Sequence, residues 1–185
     1  RAVVICYQNS AVHQLLSIFL GATGSETRNA VRPGTESTCT LKSIADAQVE
    51  IWGRLIREKG LEFIYEPRLA GTTRYDLTFL QSVMGNLLRN AWHYTDQGFV
   101  RLTLLKDSFV VEDSGIGIPE EKRHAMFQPF VRGDEQRGEG LGLGLSLVQR
   151  ICSHQRWQVQ LVTREPNGCR FTVTLLATQE ADGQA

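Results

Sequence analysis

Neither sign of charge is in excess in this sequence: 20 lysines and arginines face 20 aspartates and glutamates, a formal net charge of +0 over 185 residues. A protein that holds nucleic acid through a basic field needs a surplus of positive charge, so the balance argues against that class. Long apolar runs are missing as well; none approaches the roughly 18–20 residues of a membrane span, and no membrane contact is expected of this fragment. Cysteine is scarce. The four residues Cys6, Cys39, Cys152 and Cys169 contain no CxxC pair, which leaves a zinc site or a disulfide framework without support and fits a reducing, cytoplasmic setting. No GxxxxGK[ST] phosphate loop and no internal repeat occur. An initiator methionine is absent too, and a chain that begins at Arg1 is expected to be a piece of something longer. What is present, 42% hydrophobic and 22% charged residues, suits an ordinary globular domain with a sizeable core.

Val12, Leu15, Leu16 and Phe19 recur at helical spacing before Gly21. The stretch from Gly21 to Thr38 is rich in Gly, Ser, Thr and Asn and reads as a linker or mobile loop. The resulting division is a helical remnant over 1–24, a linker over 25–36, a compact domain over 37–178 and a polar tail over 179–185. Within the domain, Ile44, Gln48, Ile51, Leu55 and Lys59 trace a helix ended by Gly60, and Leu61, Phe63 and Tyr65 alternate as a strand. Asp76 caps a helix striped with Leu77, Leu80, Met84, Leu87, Leu88 and Ala91. Two strands follow, Val100 to Leu104 and Phe109 to Val111, around a turn at Lys106-Asp107. Pro119 opens a short helix to about Phe127, and a glycine-rich segment leads into a helix with Leu147, Val148 and Ile151 on one side. Strands over Trp157–Thr163 and Arg170–Leu176 close the domain through Pro166-Asn167-Gly168. This order predicts an α+β fold, a two-layer sandwich whose mixed, mostly antiparallel sheet is covered by helices on one face.

Three segments carry chemistry. Asn86 and Asn90, four residues apart, share one face of the helix from Asp76, and His93 and Tyr94 follow toward its end. Asparagine forms helix poorly, so the pair is either solvated or capping amides or a set of neutral carbonyl oxygens suited to Mg²⁺. Next, Glu112-Asp113-Ser114-Gly115-Ile116-Gly117-Ile118-Pro119 leaves a strand. Its glycines permit a special backbone path or close approach to a flat ligand, and a carboxylate there would choose an amino group over a carbonyl, adenine over guanine. The alternative is an ordinary Asp-x-Gly turn. Third, Gly138-Glu139-Gly140-Leu141-Gly142-Leu143-Gly144 opens a helix, as either an anion cradle at a helix N-terminus or a flexible loop. A dinucleotide fingerprint is rejected because no βαβ unit precedes it. Between the second and third segments, Met126 to Arg137 reads as a lid with Phe127 and Phe130 at its base and Arg132 and Arg137 in reach of phosphate, or as a solvated charged loop.

In order and spacing the set resembles the ATP-binding domain of sensor histidine kinases, in the Bergerat-fold superfamily shared with gyrase, mismatch-repair ATPases and heat-shock-90 chaperones. Asn86 to Ala91 with Tyr94-Thr95 is similar to its N box, Asp113 to Pro119 to its G1 box, Phe127 to Phe130 to its F box and Gly138 to Leu143 to its G2 box. The resemblance implies ATP and Mg²⁺ as cofactors, with Asn90 on the metal and Asn86 on the phosphate side. It implies Asp113 at the adenine amino group, Gly115, Gly117 and Ile118 shaping the base pocket, and Tyr94 lining it. Gly138, Gly140, Leu141, Gly142 and Leu143 would form the hinge and triphosphate cradle. His93 stands where many kinases carry lysine, and Arg170 where the family often has threonine before a strand phenylalanine, on the adenine side.

The superfamily's hydrolases carry a glutamate base four residues before the metal asparagine. This chain has Asn86 there, which cannot take a proton, so the resemblance implies phosphoryl transfer to a histidine, with Asn86, Arg132 and Arg137 as catalytic candidates. The family's phosphoacceptor motif does not occur; His13, followed by Gln14-Leu15-Leu16, reads as a helix-surface residue. The implied partners are a histidine-bearing dimerisation domain of the same parent protein and, indirectly, a response-regulator receiver domain. The expected location is cytoplasmic, with a parent compatible with the inner membrane. A nucleotide-binding regulatory module and a gyrase-type ATPase are the alternative readings.

Overall fold

Two polar side chains start the helices that hold most of the core. The elements in chain order are β1 (Thr38–Thr40), α1 (Leu41–Glu58), β2 (Glu62–Pro67), β3 (Arg74–Asp76), α2 (Leu77–Tyr94), β4 (Phe99–Leu104), β5 (Ser108–Asp113), α3 (Gly144–His154), β6 (Gln158–Thr163) and β7 (Cys169–Thr174). Thr40 Oγ1 accepts from the Ser43 amide at 3.2 Å, and Asp76 Oδ1 from the Phe79 amide at 2.9 Å, so each helix begins on a side chain that satisfies an otherwise unpaired N–H. The computed structural model describes residues 38–68, 71–129 and 143–176. The helical remnant, the linker, the polar tail, Phe130, Arg132, Arg137, Gly138, Gly140, Leu141 and Gly142 lie outside the described residues.

The main sheet has the order β2-β4-β5-β7-β6, with β2 and β4 parallel and every other neighbour antiparallel. It is mixed and mostly antiparallel, as the sequence predicts. Alternation sorts its faces: Val100, Leu102, Leu104, Phe109, Val111, Phe171 and Val173 are buried on the side of the helices. Against them α2 lays Leu80, Val83, Met84, Leu87 and Leu88, all 0% exposed. The outer face carries charge instead. Arg101, Glu112 and Arg170 stand in one cross-strand row, with Glu112 3.4 Å from Arg101 and 4.0 Å from Arg170. Asp113, next to Glu112 in the chain, falls on the inner face and is only 5% exposed.

Three details differ from the sequence reading. β1 and β3, each three residues long, form an extra antiparallel ribbon with Thr38 opposite Asp76. The helix expected after Pro119 is two 3₁₀ turns, Glu120–Lys122 and Ala125–Phe127. Met126 alone is buried in that run, so no apolar stripe exists to dock a longer helix. On α3 the core face is Leu145, Val148, Ile151 and Cys152, while Leu147 is half-exposed one position off the stripe.

Candidate functional site

The inward pleat of β5 places a carboxylate where a hydrophobic side chain would pack. Its environment explains its state: burial pushes the Asp113 carboxyl up to about 6, against the lowering effect of hydrogen bonds from the Gly115 and Cys169 amides and of the Arg164 charge. Both amides donate to the same oxygen, Oδ1, at 2.9 and 3.3 Å. Oδ2 receives no hydrogen bond from the described residues, which leaves one carboxylate oxygen for a ligand donor.

A cavity opens on this carboxylate. Its lining is Asn90 and Tyr94 from α2, Asp113, Ile116, Gly117 and Ile118 after β5, Met126, Leu145 of α3, and Cys169 and Phe171 of β7. Polar groups converge at its edge while Ile116, Ile118, Met126, Leu145 and Phe171 supply apolar walls, the composition that suits a flat heteroaromatic ligand. The segment after β5 is moulded on the end of α2. The Ile116 amide donates to the Tyr94 carbonyl at 3.3 Å, and a Cβ on Gly115 would run into that same carbonyl. Gly115 is therefore required by contact with α2, whereas Gly117, at φ +74, is required by its backbone conformation. Lys59, at the end of α1, fixes the same helix end by donating to the Trp92 and Thr95 carbonyls at 2.6 and 2.7 Å.

The asparagine pair meets the start of α3. Asn86 Nδ2 donates to the Ser82 carbonyl at 2.8 Å, which turns Oδ1 outward. A Cβ built on Gly144 would lie 3.2 Å from Asn86 Oδ1 and 3.7 Å from Asn90 Oδ1, so both amide oxygens face the first residue of α3. No side chain caps that helix; Leu143 occupies the N-cap position without a side-chain hydrogen bond. An uncapped helix N-terminus beside two neutral carbonyl oxygens offers donors to an anion and acceptors to a cation at one place. Among the described residues, nothing hydrogen-bonds the Asn90 side chain.

Of the residues singled out from sequence, Asn90, Tyr94, Asp113, Gly117 and Ile118 line one cavity. Asn86, Gly115 and Leu143 are not among its lining residues. His93 lies outside the lining, half-buried with its ring edge-on to Tyr94 at 4.8 Å. Arg170 points to the outer face, so the β7 residue beside the Asp113 carboxylate is Cys169, whose thiol is pushed up to about 12 by burial and by the Asp113 charge. Sequence reading did not single out Ile116, Met126, Leu145, Cys169 or Phe171 as site residues. Period-two alternation with Phe171 and Val173 marks Cys169 as inward, and that was the available signal.

Residues 75–179 match the family of histidine kinase-, DNA gyrase B- and HSP90-like ATPases. The chain is 31% identical over 137 residues to the aerobic respiration control sensor protein ArcB of Escherichia coli K12, covering 68% of this chain and 18% of that protein. It is 38% identical over 118 residues to the sensor protein BasS of the same organism, covering 61% of this chain and 32% of BasS. The chain thus spans about a fifth to a third of these relatives' lengths. Among solved structures, full-length ShkA in complex with AMPPNP aligns with a TM-score of 0.70 at 25% identity, over 91% of this chain and 36% of that one. The catalytic domain of histidine kinase ThkA aligns at 0.62 and 26% identity, over 75% of this chain and 95% of that one. The chain belongs to the histidine kinase-, DNA gyrase B- and HSP90-like ATPase family, as a domain of the histidine kinase type.

Proposed function

We propose that this chain binds ATP with Mg²⁺ and transfers the γ-phosphoryl group to a histidine on a dimerisation domain, from which a response-regulator receiver domain takes it. One observation carries the reading: a buried carboxylate with a single uncommitted oxygen shares a cavity with Asn90. Asp113 Oδ2 suits the adenine 6-amino group, which donates, and rejects a 6-carbonyl, which does not. Tyr94, Ile118 and Phe171 wall the ring. From there the phosphates run toward Asn86, Asn90 and the open N-terminus of α3.

The asparagine oxygens fit a hard cation, since both are neutral carbonyl donors aimed at one point and Mg²⁺ completes its shell with water and phosphate oxygen. When bound, the metal supplies charge neutralisation at the phosphate oxygens. Asn86 has no basic atom, and its Nδ2 is already spent on Ser82, so it does not activate water. The imidazole nitrogen of the acceptor forms the new N–P bond, the bond from γ-phosphorus to the bridging oxygen breaks, and ADP leaves. Arg132 and Arg137 are proposed to offset charge in that transition state.

Labelled ATP, Mg²⁺ and a separate histidine-bearing dimerisation domain, incubated with this chain, test the proposal. Acid-labile label on the dimerisation domain is the expected result, lost with Asn90→Ala. Free phosphate released without the acceptor points instead to a gyrase-type hydrolase, and tight binding with neither product to a regulatory module.

A further inference from the structure

Asp113 ends its strand, so its carbonyl oxygen lies just beyond the last β5–β7 pair, Glu112 opposite Arg170. A buried carbonyl needs a donor, and the ladder no longer provides one. The donor is a side chain: Arg164 Nη1 reaches the Asp113 carbonyl at 3.2 Å. Arg164 begins the β6–β7 turn, and its own amide closes that turn on the Gly168 carbonyl at 3.0 Å. The same turn presses on Asp113 from its other end. Cys169 donates its amide to Oδ1, and Gly168, at φ +109, sits so close that a Cβ there would run into the Asp113 carbonyl.

The guanidinium is itself held on three sides. Nε is 3.5 Å from Glu112 Oε1, and the group lies 4.8 Å from the centre of the Phe99 ring. Arg101 covers that ring at 5.0 Å and takes the other Glu112 oxygen at 3.4 Å. Phe99 and Glu112 thus fix Arg164 to β4 and β5, while its backbone belongs to the β6–β7 turn. A planar, multiply donating cation is suited to this, because it stacks, pairs and donates at once.

We infer that Arg164 is a positioning residue for base recognition: it clamps the main chain of Asp113 to the β6–β7 turn and so aims the carboxylate at the purine 6-position. This rests on the adenine-pocket reading above and adds to it a residue on the opposite face of the sheet, which does not line the cavity and meets its lining at the Asp113 main chain. Its effect is specific to the purine 6-substituent, since the phosphate side of the site is built from α2 and α3.

ADP and IDP separate the possibilities, because they differ at that substituent while sharing sugar and phosphates. Affinities of the full 185-residue chain for both are measured for wild type, Arg164→Ala, Arg164→Lys and Asp113→Asn, with thermal unfolding of each as a control on folding. In wild type ADP is preferred. Arg164→Ala is expected to weaken ADP by about tenfold, the loss of one well-aimed charge-assisted hydrogen bond. IDP should change by less than about twofold, so that the preference collapses, while Arg164→Lys, which keeps a cationic donor, recovers most of it. Equal weakening of ADP and IDP in either Arg164 variant, or an unchanged preference in Arg164→Ala, overturns the inference while leaving the pocket assignment standing. Wild type and Asp113→Asn both failing to discriminate ADP from IDP overturns the pocket assignment and the inference together.

Discussion

Replacing Asp113 with asparagine is expected to act in two opposite directions, stabilising the nucleotide-free chain at neutral pH while removing its preference for adenine. In the empty fold the carboxyl is 5% exposed, and its burial raises it from the ordinary aspartate value to about 6. Each pH unit of that interval corresponds to roughly 1.4 kcal/mol, so the ionised group costs the fold on the order of 3 kcal/mol at pH 7. Asparagine removes the charge and keeps the geometry, because both amide donors converge on Oδ1, which an asparagine carbonyl reproduces. A rise in the unfolding midpoint of about 5–10 °C at pH 7 follows. The sign with pH is fixed. The folded state holds its proton more tightly than the unfolded one, so wild type gains stability as pH falls through about 6 toward 4, and the gap between the two proteins closes over that window. Denaturant titrations at pH 7.5, 6 and 4.5 (about these values, chosen to bracket the transition) read the gap directly. A variant less stable than wild type at pH 7, or a gap that does not change with pH, refutes the account of Asp113 as a carboxylate raised by burial.

Adenine-nucleotide affinity should itself fall as pH drops through about 6, because a protonated Asp113 no longer accepts from the amino group; fluorescent-nucleotide titrations from about pH 8 to 5 would show it. Gly168→Ala is expected to cost at least about 2 kcal/mol in urea unfolding, from a positive φ and a collision with the Asp113 carbonyl, and to abolish the ADP preference with it. Asp76→Ala removes the cap of α2 and should cost about 1 kcal/mol while nucleotide affinity stays within about twofold, measured on the same samples.

Much of this architecture is legible in local patterns. The stripe from Leu80 to Ala91 and the alternation of Val100, Leu102 and Leu104 announce α2 and β4, and the Asp76 cap is visible one residue before its helix. Even the buried carboxylate is foreshadowed, since Phe109, Val111 and Asp113 share one parity of β5. What the sequence withholds is the product of long-range register. The β1–β3 ribbon joins segments 36 residues apart through three-residue strands that have no periodicity to read. Arg164 meets Asp113 across 51 residues, and nothing near Arg164 marks it as different from Arg156 or Arg170. Met126, not Phe127, enters the cavity because a 3₁₀ turn aims side chains differently from the α-helix the proline suggests.

Glu112 and Asp113 are chemically near twins set side by side, yet one joins the outer row of arginines and the other is sealed against the core. Sliding β5 by a single residue would exchange them, stranding the longer acid among leucines and valines and leaving Arg101 and Arg164 only the shorter one to pair with. Mispairing of this strand is thus penalised at both acids, and the acidic doublet serves as an alignment mark for the sheet, in addition to the contact proposed for Asp113 with the purine.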